Sequence, residues 1–113
     1  MYLMSWEQDV LDKWSKQYGI SNVVFAGYKP CGKYAGFCHG RKWGTPDIIM
    51  TIDVDTHYEK HKITCKGVLW HEFGHAYDYW TTGTMGHDKA WMKIYLKKPH
   101  LVLAGFLSPF VRW

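Results

Sequence analysis

A chain of 113 residues is short enough for a single hydrophobic core, and a composition of 47% hydrophobic and 18% aromatic residues supplies that core amply. A net charge of +4 tolerates an anionic partner without demanding one, and the absence of charge blocks, repeats and low-complexity tracts excludes a disordered or solenoid chain. Three cysteines, Cys31, Cys38 and Cys65, cannot all pair within the chain, which favours free thiols in a reducing compartment over a disulfide framework.

Over residues 5–18, Trp6, Val10, Leu11, Trp14 and Tyr18 recur at steps of three and four. That stripe predicts a helix, with Ser5 as its N-cap and Gly19 as the residue that ends it. SNVVFAGY (21–28) and KYAGFCHG (33–40) read as strands joined through the turn-prone KPCGK. TPDIIMTIDVD (45–55) is a compact isoleucine-rich run and reads as a third strand. From about residue 58 to 80, Ile63, Val68, Leu69, Phe73, Ala76 and Tyr77 fit a long helix, which the two glycines of TTGTMG break. Residues 88–97 form another helix with Trp91, Ile94 and Tyr95 on one side, ended by Pro99. The tail LVLAGFLSPFVRW reads as a strand or an apolar strap. The expected fold class is therefore α+β: a small three-stranded sheet backed by helices, in the order α-β-β-β-α-α. The N-terminal residues carry acidic groups and lack a basic segment followed by an apolar stretch, so no signal peptide is expected. The uncharged tail is too short to span a bilayer, and a cytoplasmic protein with no membrane partner is the expectation.

The chemistry concentrates in HEFGH at 71–75. Residues four apart on a helix share one face, about 6 Å apart along the axis, so His71 and His75 can hold one ion. Glu72 is turned by about 100° from His71 and flanks the metal, where it can act as general base toward an activated water. The histidine spacing, the intervening glutamate and the helix together make a zinc hydrolase motif. Gly74 adds to the signal, because glycine inside a helix costs about 1 kcal/mol relative to alanine and points to a close approach. A catalytic zinc takes three protein ligands and leaves the fourth position open. His87, after the break, is the expected third ligand, with Asp88 and Asp78 as alternatives. Asp78 is also a candidate for orienting a ligating imidazole, or else an ordinary solvated carboxylate.

H71-E-F-G-H75, eleven intervening residues and H87-D-K-A-W91 resemble the SprT-like zinc metallopeptidases. In that family a third histidine follows the helix after a similar gap, and an aromatic residue lies four positions later, as Trp91 does here. Asp88 stands where members commonly have glycine. The resemblance implies a minimal zincin-like domain spanning 1–113, one catalytic Zn2+ on His71, His75 and His87, Glu72 as general base, and endopeptidase activity on protein or peptide substrates. By analogy with zincins, substrate pairs along a sheet edge, expected at the strand 47–53. Some relatives act on proteins crosslinked to DNA, although this chain has no four-cysteine zinc ribbon.

Several weaker constellations have plain structural readings. His57 and His61 are four apart but suit a polar helix start. Cys31, Cys38 and His39 cluster without the spacing of a zinc knuckle, and Cys65 reads as a small buried residue. Lys89, Lys93, Lys97 and Lys98, with Lys60, Lys62 and Lys66, form either solvated helix faces or a contact for single-stranded DNA. Tyr77, Tyr79, Tyr95 and His57 are candidate donors to an oxyanion. Two other functions use the same residues: a nucleic-acid-binding module with structural zinc, and a zinc hydrolase acting on a non-peptide amide or ester.

Overall fold

The computed structural model describes residues 5–106. The first helix, α1 (Trp6–Tyr18), begins where expected: the Ser5 side chain accepts a hydrogen bond from the Gln8 backbone N–H, and Gly19 ends it at φ 73°. Three strands follow, β1 (Val23–Lys29), β2 (Gly36–Arg41) and β3 (Ile49–Asp55), and then three helices, α2 (Lys62–Thr82), α3 (Lys89–Tyr95) and α4 (Pro99–Phe106). The arrangement is α+β, with one mixed three-stranded sheet packed against helices. Among the described residues no helix is long and apolar enough to cross a membrane.

The sheet order is β1-β3-β2, with β3 parallel to β1 and antiparallel to β2. This corrects the expectation that the third strand forms the substrate edge. Met50, Ile52 and Val54 of β3 are completely buried, and a strand so apolar gains most from neighbours on both sides. The two edges are β1 and β2, and they differ. The Gln8 side-chain amide donates to Val23 O (3.0 Å) and accepts from the Phe25 N–H (2.8 Å), so α1 occupies part of the β1 edge.

Helix α2 starts later than the apolar pattern suggests. Asp55 accepts from the His57 backbone N–H and sets a short 3₁₀ turn, Thr56–Tyr58, which buries the Tyr58 ring. From there α2 runs through the middle of the molecule, with Cys65, Val68, Leu69, Trp70, Phe73 and Ala76 all fully buried. Trp70 and Phe73 stack at 5.6 Å, and Trp14 of α1 meets Trp70 edge-on at 5.0 Å. Edge-on and offset rings bury large area in favourable quadrupole geometry.

The tail is a further correction. Residues 99–106 are helical, because Pro99 is preset for a first helical turn and Leu101 and Ala104 find an apolar surface to cover. Residues 107–113 of that tail, like residues 1–4, lie outside the described residues. The α2–α4 contact depends on two bare backbones. A Cβ on Gly67 would stand 2.5 Å from the Gly105 backbone nitrogen. Gly67→Ala is therefore expected to lower stability by about 1–3 kcal/mol, despite alanine's better helix propensity, as read from urea unfolding. An unchanged or raised midpoint would show that the two helices are not in tight contact.

Candidate metal centre

His71 and His75 project from one face of α2, and the loop after Gly83 brings His87 to them. Their Nε2 atoms lie 3.2 Å apart for His71 and His75 and 3.3 Å apart for His71 and His87. Ligand atoms of all three fall within 4.8 Å of one another. Two imidazole nitrogens, each about 2.0–2.1 Å from a shared tetrahedral zinc, stand about 3.3 Å apart, so the donor set fits such an ion. Among the described residues this is the one group of three or more potential metal ligands that converges.

The protonation states also suit a metal. Burial pushes His71 down to about 2, reinforced by the neighbouring His75 and His87 rings. Burial and His87 push His75 down to about 4. Both imidazoles are thus neutral at ordinary pH, with lone pairs available for coordination. Glu72 sits beside them, its Oε1 3.9 Å from His71 Nε2 and the residue 7% exposed. Burial, with a smaller contribution from the Asp53 carboxylate, pushes Glu72 up to about 8. A proton held this firmly marks a carboxyl group in a dry wall, not on a solvated helix face.

Trp91 assembles the three histidines. Its ring stacks on His75 (5.3 Å, 18°), lies 4.5 Å from His87, and its Nε1 donates to His71 O at 3.2 Å. Tyr95 stacks on its other side at 4.6 Å. Gly74 makes this possible: a Cβ there would stand 2.8 Å from Trp91 Nε1. The helix-breaking glycine inside the motif thus marks the place where an indole meets bare backbone. Gly36 does a similar service on the strand side, since a Cβ there would press on Asp53 O (2.6 Å) and approach Glu72 Cγ (3.5 Å).

The histidines and Glu72 line an open cleft of about 250 Å³ walled by Gly36, Phe37 and Cys38 of β2, by Tyr34 and by the Met85–Gly86 turn. Tyr34 is a cleft residue that the sequence does not flag, because it lies in a turn 37 residues before the motif. None of the four expected oxyanion donors lines this cleft. Tyr77 faces Tyr18 at 6.3 Å, Tyr95 lies under Trp91, Tyr79 covers Gly40, and His57 sits on the 3₁₀ turn.

The two alternative ligands have other partners. Asp88 caps α3, its Oδ1 accepting from the Trp91 N–H at 2.9 Å. Asp78 is fully buried and accepts from the Thr82 and Thr84 hydroxyls at 2.9 and 3.1 Å, so it serves neither an imidazole nor solvent. Cys38 and His39 alternate to opposite faces of β2, one into the cleft and one to within 3.8 Å of Asp53, while Cys31 donates its N–H to Asp55. They form no joint site with an ion. Cys65 is buried, 3.4 Å from the Tyr28 hydroxyl, and all three cysteines are free. His57 and His61 are exposed with rings 5.3 Å apart.

No protein-family model matches the chain, and no curated protein or solved structure matches it.

Gly74→Ala is expected to drive Trp91 off α2, lowering stability by about 1–3 kcal/mol and weakening zinc binding, as read by calorimetric titration of the metal-free protein. Wild-type zinc affinity in that variant would show that the indole does not hold the ligands in place.

Proposed function

We propose that this chain is a zinc-dependent metallopeptidase of the SprT-like kind, hydrolysing peptide bonds in protein substrates. One observation carries the reading: three imidazoles, those of His71 and His75 kept neutral by burial, converge in an open cleft that also holds a buried glutamate. His71, His75 and His87 would hold a zinc ion, which would supply Lewis acidity and lower the pKa of water at the site to about 7. A cation held beside Glu72 would favour its ionised form over the protonated form that burial favours in the metal-free site, and that carboxylate would accept a proton from the attacking water and deliver it to the leaving amine. Tyr34, in the cleft wall, is the proposed donor to the oxyanion.

The edge of β2 is the proposed substrate rail. It borders the cleft through Gly36, Phe37 and Cys38, and β3 pairs with its other side. An extended peptide joining that edge gains backbone hydrogen bonds without sequence preference. Three free thiols suit a reducing compartment, and the cytoplasm is the proposed location.

A second reading, contact with single-stranded nucleic acid, is favoured by a separate groove of about 710 Å³. Lys16, Lys93 and Lys97 line it beside the rings of Tyr18 and Tyr77, and none of the three lysines pairs with a carboxylate among the described residues. Cations beside rings suit phosphates and bases.

The deciding experiment is digestion of an unfolded protein by zinc-loaded wild type and Glu72→Gln, each with and without a single-stranded oligonucleotide. The expected result is that Glu72→Gln retains one zinc but loses on the order of 10²- to 10⁴-fold in rate. Equal rates would remove Glu72 from the mechanism, and no cleavage by zinc-loaded wild type would overturn the peptidase reading. Oligonucleotide binding that weakens steeply with salt supports the second reading.

A further inference from the structure

We propose that Thr84, bridging the buried carboxylate of Asp78 to Asp88, is a positioning residue that sets the third metal ligand, His87. The inference rests on the metal reading of the three histidines and extends it to the segment that carries one of them.

His71 and His75 are fixed by a buried helix. His87 is not: it lies in the stretch 83–88, between α2 and α3, which has no regular secondary structure. Something must hold that stretch in one shape if the third imidazole is to meet the other two. The hydroxyl of Thr84 stands 3.1 Å from Asp78 Oδ2 and 3.0 Å from Asp88 Oδ2. It also lies 2.8 Å from the hydroxyl of Thr82, which donates to Asp78 Oδ1 at 2.9 Å, and the Thr84 N–H donates back to Thr82 Oγ1. Asp78 is on α2, three residues after His75, and its side chain is fully buried. Asp88 immediately follows His87 and caps α3 through the Trp91 N–H. The Thr84 hydroxyl has one proton to donate to these two carboxyl groups, which also hydrogen-bond to each other. Thr84 sits between them, and the three groups together tie the start of the segment to its end and both to the helix that carries the other ligands.

The consequence reaches both sides of the metal centre. Holding Asp88 places His87 at the end of the segment and sets the first turn of α3, from which Trp91 stacks on His75. The buried Asp78 side chain meets the Thr82 and Thr84 hydroxyls and the Asp88 carboxyl group, all on the chain that leads to or follows His87.

The test uses the full chain and two variants. Thr84→Val keeps the shape and removes the hydroxyl, whereas Thr84→Ser keeps the hydroxyl. Zn2+ affinity of the metal-free protein is measured by competition with a chelating dye, and the visible spectrum is recorded after loading with Co2+. The expected result is a roughly 10- to 100-fold weaker Zn2+ affinity for Thr84→Val, the range typical of groups that orient ligands, with near wild-type affinity for Thr84→Ser. The Co2+ absorption of Thr84→Val should also lose the intensity of a four-coordinate site, a change that mere loss of stability does not produce. Circular dichroism of both metal-free variants checks the fold. Should Thr84→Val fail to fold, Thr84→Ala and Thr84→Ser make the same comparison, with retention in serine and loss in alanine supporting the proposal. Wild-type affinity and spectrum in a folded variant lacking the hydroxyl, or equal loss in Thr84→Ser, would overturn the positioning role while leaving the metal reading intact. Absence of Zn2+ binding by wild type would overturn both.

Discussion

The indole of Trp91 lies directly against the backbone of α2 at Gly74, and the three-histidine cluster is built around that contact. At this point a side chain from α3 donates to a carbonyl of α2, stacks on one histidine of the cluster and touches the other two. Only glycine leaves room for it. The contact has a cost, because glycine weakens the helix locally, and a return, because a rigid ring fixes the orientation of several imidazoles at once. The Trp70 Nε1–H donation to Tyr95 O at 2.8 Å holds the far end of α3 to α2, so the Trp91 contact anchors the end of α3 nearest His87.

The rest of the molecule serves to bury α2 on most sides and leave one side open. Trp14 from α1, β3 with its apolar row, and α4 through the Gly67–Gly105 contact close three approaches. The fourth is the cleft between β2 and the 83–88 segment. This layout explains why burial keeps His71 and His75 neutral and raises Glu72: these groups sit in a protein wall and face solvent across a small opening. It also distinguishes the two sheet edges. Gln8 fills backbone positions on β1, so the edge bordering the cleft is the one on which an extended chain can add.

Local features were the most legible in the sequence. Ser5 and Gly19 bound α1 because capping needs only neighbours, and the His71–His75 pair follows from one helical turn. Gly74 announced a close approach without naming Trp91 as the partner. That His87 converges on His71 and His75 was reachable because the break at TTGTMG lets the chain turn back on the helix. Non-local pairing was not legible: nothing within residues 45–55 says that β3 inserts between β1 and β2, since the order of strands depends on how the whole chain closes. Tyr34 carried no spacing relation to the motif. Asp78 is instructive for the same reason. Its pattern on the helix fitted an orienting or solvated carboxylate, but its burial comes from Thr82 and Thr84, beyond the stretch that carries the motif. The tail escaped because a short apolar run has no period long enough to separate helix from strand.

The central claim is that three histidines of this chain close on one ion and leave a position open. X-ray absorption of the protein loaded with one equivalent of Zn2+ tests it most directly. The account predicts a four-coordinate site with three imidazole nitrogens and one oxygen at about 2.0–2.1 Å, changing to two imidazoles in His87→Ala. A sulfur shell at about 2.3 Å, which would place Cys38 or another thiolate on the metal, or a site unaltered by His87→Ala, would contradict it.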